Sequence, residues 1–117
     1  MKKEVVLGVY NCKQENSSEW REKFFSFFLF YFNHLYRLIT ISLTEVRCYR
    51  DQRDKKPEKI FNLKSFDVSL EEIENGIISL KNPLQLGCFI RGSTSEETKI
   101  IFEKFLTMQG KDKSIKY

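Results

Sequence analysis

The chain has 117 residues and not one is alanine. Alanine is the strongest helix former, so its absence argues against a bundle of helices. Histidine occurs once, at His34, which excludes a metal centre built on several imidazoles. Cysteine occurs three times, at Cys12, Cys48 and Cys88. That number is odd, the spacing is wide and no C-x-x-C pair is present, so neither a disulfide framework nor a zinc ribbon is supported, and a reducing intracellular compartment is the default. No nucleophile motif, Walker loop or dinucleotide-type glycine pattern occurs, so no catalysis, cofactor or metal is expected. Lys2, Lys3 and Glu4 precede only a short apolar run, not the long apolar region of a secretory signal.

What the chain has in quantity is aromatic and apolar side chains. Eleven Phe, 15% aromatic and 41% hydrophobic residues suit one compact domain whose main packing unit is the strand. The formal net charge is +4, and its distribution is uneven. Residues 44–64 carry seven cations (Arg47, Arg50, Arg53, Lys55, Lys56, Lys59, Lys64) against four anions, whereas residues 70–103 carry six Glu against Lys81, Arg91 and Lys99. Such polarity suits orientation at an anionic surface; a solvated basic loop is the plainer reading. Residues 24–43 have the length of a membrane span, but Asn33, His34 and Arg37 fall within them. An Arg near the centre costs about 2.5–3.5 kcal/mol on insertion scales, so no span is read here.

Strand signals run along most of the chain. Residues 5–13 are β-branched and apolar, with Gly8 a candidate bulge, and residues 14–19 form a polar loop. Residues 20–25 alternate, placing Arg21, Lys23 and Phe25 on one face and Trp20, Glu22 and Phe24 on the other. Residues 38–49 alternate with a phase shift at Thr44 and Glu45, which predicts a turn or bulge. After a charged loop at 51–58, strands are predicted at 60–63, 65–70, 76–80 and 84–91, with Asn75-Gly76 as a hairpin signal. The end changes period. Ser93 with Glu96, or Thr94 with Glu97, offers a capping box, and the spacing of Ile101, Phe102, Phe105 and Leu106 predicts one amphipathic helix over 95–108. Gly110 would stop it, leaving residues 110–117 as a basic, disordered tail to a domain spanning 1–109.

Three segments carry a family resemblance. They are Trp20-Arg21-Glu22-Lys23-Phe24-Phe25, then Thr44-Glu45-Val46-Arg47-Cys48-Tyr49-Arg50-Asp51, then Asp54-Lys55-Lys56-Pro57-Glu58-Lys59-Ile60-Phe61 leading to Ser65-Phe66-Asp67-Val68. In this order they resemble the pleckstrin homology (PH) domain superfamily. The resemblance implies a mainly β fold, a partly open barrel of two near-orthogonal antiparallel sheets capped by one C-terminal α-helix. It also implies a non-catalytic signalling module, cytoplasmic and peripheral at the inner face of a membrane, that binds phosphoinositide or another anionic phospholipid. The alternative within the same fold is a protein-interaction module receiving a peptide at a sheet edge and the groove beside the helix. A nucleic-acid partner ranks last, because no recognition motif or basic helix is present.

Two departures stand out. Family members commonly carry a Trp in the final helix, where this chain has Phe102. Residues 27–40 are extra, and three accounts compete for them: an extension of two strands into a long hairpin turning near Asn33 and His34, a membrane-inserting loop, or translated non-coding sequence. Joining Ser26 to Ile41 is expected to leave a folding domain.

The resemblance also assigns a site. Lys13, Arg21 and Lys23 match its phosphoinositide pattern of a Lys, a variable loop and a basic-x-basic pair, and they are expected to converge on phosphate, helped by Arg50, Arg53, Lys55 and Lys56. Lys23 stands where Arg is usual, which removes the planar two-pronged grip. Cys48 stands where strong binders often have Tyr, and Glu58 follows Pro57 where a basic residue is common.

Overall fold

The computed structural model describes residues 2–33, 40–71 and 76–109. Among these residues, seven strands and one helix form in the predicted order: β1 (Lys2–Gln14), β2 (Arg21–Asn33), β3 (Thr40–Tyr49), β4 (Lys59–Asn62), β5 (Asp67–Glu71), β6 (Ile77–Asn82), β7 (Gln85–Arg91) and α1 (Ser95–Gln109), with a short 3-10 turn at Leu63–Ser65. The architecture is mainly β, as expected. All pairings are antiparallel, and the strands join in one sheet ordered β4-β3-β2-β1-β7-β6-β5. The two sheets expected from the resemblance are two halves of this one, sharing β1. Among the described residues it pairs with β2 from Lys2 to Cys12 and with β7 from Asn11 to Gln14.

Both halves turn one face onto a common core. Phe25 and Phe27 of β2, Val46 of β3 and Phe61 of β4 meet Ile78 and Leu80 of β6, Ile90 of β7, and Ile101 and Phe105 of α1. At the open corner, Phe61 and Phe66 stack edge to face with centroids 5.1 Å apart, covering the gap between β4 and β5. The helix starts on Thr94, whose Oγ1 accepts from the Glu97 N–H at 3.1 Å, while the Glu97 carboxylate accepts from the Ser93 N–H at 3.2 Å. Thr94 and Glu97 are thus the capping pair used. Thr98, Ile101 and Phe105 lie on its buried stripe. Phe105, not Phe102, is the aromatic driven into the core; it meets Phe27 edge to face at 5.2 Å.

Gly8 fixes the phase of β1. Its φ of +130° is open only to glycine, and the β1–β2 register slips by one residue between Val6 and Gly8. Before the bulge Val5 lies opposite Phe27; after it Cys12 lies opposite Arg21. Odd-numbered residues therefore share the core face of β1 before the bulge and even-numbered ones after it.

Three expectations need correction. The β2–β3 ladder runs unbroken from Phe24↔Tyr49 to Asn33↔Thr40, so no bulge interrupts Thr44 and Glu45. The extra segment, expected to be dispensable, begins in the core: Phe27 is fully buried and Leu29 buried, while the backbone of residues 27–33 continues β2 as the long-hairpin account requires. The turn expected near Asn33 and His34 falls on residues 34–39, which lie outside the described residues. Leu84, expected to open the last strand, is instead the tip of the β6–β7 turn. The expected tail, residues 110–117, also lies outside the described residues.

Candidate anion-binding mouth

Alternation along β2 places two kinds of side chain on one face. Phe25 and Phe27 fill the core, and Lys23 and Arg21, two and four residues earlier, line a cavity of about 300 Å³ at the open end of the barrel. Lys59 joins them from β4, where it lies opposite Cys48. Cys12, Cys48, Cys88, Phe61 and Gln14 complete the lining with Ser17, Glu19 and Glu58. The β1–β2 loop is tied to the start of β7 by two bonds: the Gly87 N–H donates to Glu15 Oε1 at 2.6 Å, and the Glu15 N–H donates to the Gly87 carbonyl at 3.2 Å.

The cations at this mouth are not idle. Lys23 Nζ donates to both carboxylate oxygens of Glu58, at 2.9 and 3.2 Å, and Arg21 donates to Glu19 at 2.9 Å. Two carboxylates therefore oppose Arg21, Lys23 and Lys59, and the mouth lining carries one net positive charge. The Glu58 that follows Pro57 is the residue that holds Lys23.

Lys13 is not brought to the cavity. The Gly8 bulge turns Cys12 and Gln14 inward, so Lys13 stands on the outer face, opposite Phe89. Its Nζ lies 5.1 Å from the Phe89 ring centroid and 5.5 Å from that of Trp20, and Arg91 stacks on Trp20 at 3.9 Å. This is an outer-face ladder of cations on aromatic rings. The β3–β4 loop carries the remaining candidates. Arg53 is bound to Asp51 through Nε at 3.2 Å and through its own N–H at 2.9 Å, and these bonds hold the Asp51 carboxyl below its ordinary range. Arg50, Lys55 and Lys56 are exposed and make no ion pair among the described residues.

The three thiols on the cavity floor are buried and unbridged. Hydrogen bonding to Cys12 and burial push the Cys48 thiol far up. Cys12 is also raised: the bond to Cys48 pulls the other way, but the bond to Cys88 and burial prevail. Both therefore sit at neutral pH as unreactive neutral thiols. Among the described residues no group of His, Cys, Asp and Glu is placed to hold a metal ion, and no helix is long and apolar enough to cross a membrane.

Sequence reasoning placed Arg21 and Lys23 correctly on one face but missed Lys59 and the role of Glu58. The signal for Lys59 was present: two residues before Phe61 on one short strand, it shares that residue's inward face.

No protein-family model matches this sequence, and no curated protein matches it. Among solved structures, the chain is similar to the PH domain of the human TBC1 domain family member 2 protein, with a TM-score of 0.62 over 92% of this chain and 82% of that one, at 14% sequence identity. The fold is that of a PH domain.

Proposed function

We propose that this PH-fold chain is a non-catalytic module that docks on the anionic inner face of a membrane, with the barrel mouth and the β3–β4 loop turned toward phospholipid head groups. The observation that carries this reading is the exposed set Arg50, Lys55 and Lys56, without ion pairs among the described residues, beside a cavity lined by Arg21, Lys23 and Lys59. Each basic residue held near an anionic surface contributes about 1 kcal/mol. Because Glu19 and Glu58 already engage Arg21 and Lys23, the attraction is graded with membrane charge and not selective for one phosphoinositide. Arg53 and the outer-face Lys13 add to the same field. The test is co-sedimentation with phosphatidylserine vesicles: changing Arg50, Lys55 and Lys56 to Gln should weaken binding about tenfold or more with little change in thermal stability. Undiminished binding would remove the loop from the site.

A second observation favours a protein partner. Among the described residues, β1 pairs only with β2 from Lys2 to Tyr10, and beside this stretch lies a groove of about 400 Å³ formed by Val5, Leu7, Phe27, Ile100 and Met108 together with Val6, Glu103, Lys104 and Thr107. An extended peptide could add a strand there, with an apolar side chain in the groove. Amide shift changes confined to β1 and α1 on titration with the partner would mark this mode; changes at the mouth would not.

A further inference from the structure

The most exposed large apolar side chain among those described is Leu84, at 91%. It sits with Pro83 in the tight turn between β6 and β7, where Asn82 lies opposite Gln85. The turn is braced from within. Asn82 Oδ1 accepts from the Leu84 N–H at 2.7 Å, and Asn82 Nδ2 donates to the Ser65 carbonyl at 2.5 Å. A single exposed leucine is ordinary; one held outward by a side chain bonded on both sides, with Leu86 41% exposed two residues on, is a fixed apolar tip.

Its position gives it a partner. The bonds between Gly87 and Glu15 tie the start of β7 to the β1–β2 loop, and Cys88 of β7 shares the mouth cavity with Lys59 at the exit of the basic loop. The apolar tip and the exposed cations Arg50, Lys55 and Lys56 therefore rim the same end of the barrel. An apolar point beside uncompensated positive charge is complementary to an anionic bilayer, whose head groups meet the cations while its acyl region receives the leucine.

We propose that Leu84, backed by Leu86, is a membrane wedge that enters an anionic bilayer at the β6–β7 turn. The inference rests on the membrane reading above and adds an apolar contribution that salt does not screen. Moving one leucine from water into acyl chains is expected to strengthen binding by about tenfold or more.

The experiment uses phosphatidylcholine vesicles with and without phosphatidylserine. L84N should bind the phosphatidylserine vesicles about tenfold less tightly than the unaltered chain at both low and high salt, with an unchanged melting temperature. L84C carrying an environment-sensitive fluorophore should shift its emission to the blue on these vesicles and be quenched by lipids brominated on the acyl chain. If the unaltered chain sediments with phosphatidylserine vesicles but L84N binds equally well, or the fluorophore stays in water, the wedge is wrong while the membrane reading stands. If the unaltered chain does not sediment at all, both are overturned.

Discussion

Lys23 is only 14% exposed at its side chain and lies 2.9 Å from Glu58, so a phosphate entering the mouth must compete with a carboxylate already in place. Glu58→Gln should free that cation and raise affinity for phosphatidylserine vesicles by about two- to fivefold, the scale of a partly exposed ion pair; unchanged or weaker binding would show that Lys23 does not face the head groups. The three thiols beneath it give a second residue-scale expectation. With Cys12 and Cys48 raised well above neutral pH, iodoacetamide at neutral pH should leave both unmodified in the folded chain and label them promptly in denaturant. Rapid labelling of the native protein would mean that the cavity floor is open or charged. Arg21 and Lys23 could be placed from sequence because β2 alternates without interruption through them. Lys13 could not, because its direction depends on one slipped residue five positions earlier, and a glycine announces that a bulge is possible without fixing how the strand is phased beyond it.

At the scale of elements, β1 and β2 decide the architecture. Gly8→Ala puts a side chain where φ is +130°, at a cost of about 1–3 kcal/mol, and should lower the melting temperature while the exposed Val9→Ala does not. An unaffected Gly8→Ala would mean that the bulge can move. The long aromatic strand is structural at its start. Phe27→Ala should cost about 3–5 kcal/mol, and joining Ser26 to Ile41 should abolish the cooperative transition, since that deletion removes Phe27 from its contact with Phe105. A shortened chain that still melts cooperatively would contradict this placement. Periodicity made the seven strands and the capped helix legible in order. The extent of the β2–β3 hairpin was not, because apolar residues occupy both faces of β2: Phe25 and Phe27 pack inward, while Phe24, on the opposite face, is buried against Tyr49 with centroids 5.8 Å apart. A strand that is apolar on both faces has no alternation from which to read an end.

For the whole molecule, charge and shape act in one direction. The cation-rich β3–β4 loop, the mouth and the Leu84 tip lie at one end of the barrel, and the groove between β1 and α1 lies away from it, lined mainly by apolar side chains. The sequence showed the charge asymmetry in its cluster at 44–64; it could not show that the β6–β7 turn shares that end, which depends on the tie between Gly87 and Glu15 across the fold. The measurement that tests the central claim most directly is co-sedimentation of the unaltered chain with neutral phosphatidylcholine, phosphatidylserine-containing and phosphoinositide-containing vesicles matched in surface charge. Docking by the basic mouth predicts little binding to the neutral vesicles, binding to the charged ones that rises with their charge and falls with salt, and no large preference for one head group at equal charge. Equal binding to neutral and charged vesicles, or no binding to any, would contradict it.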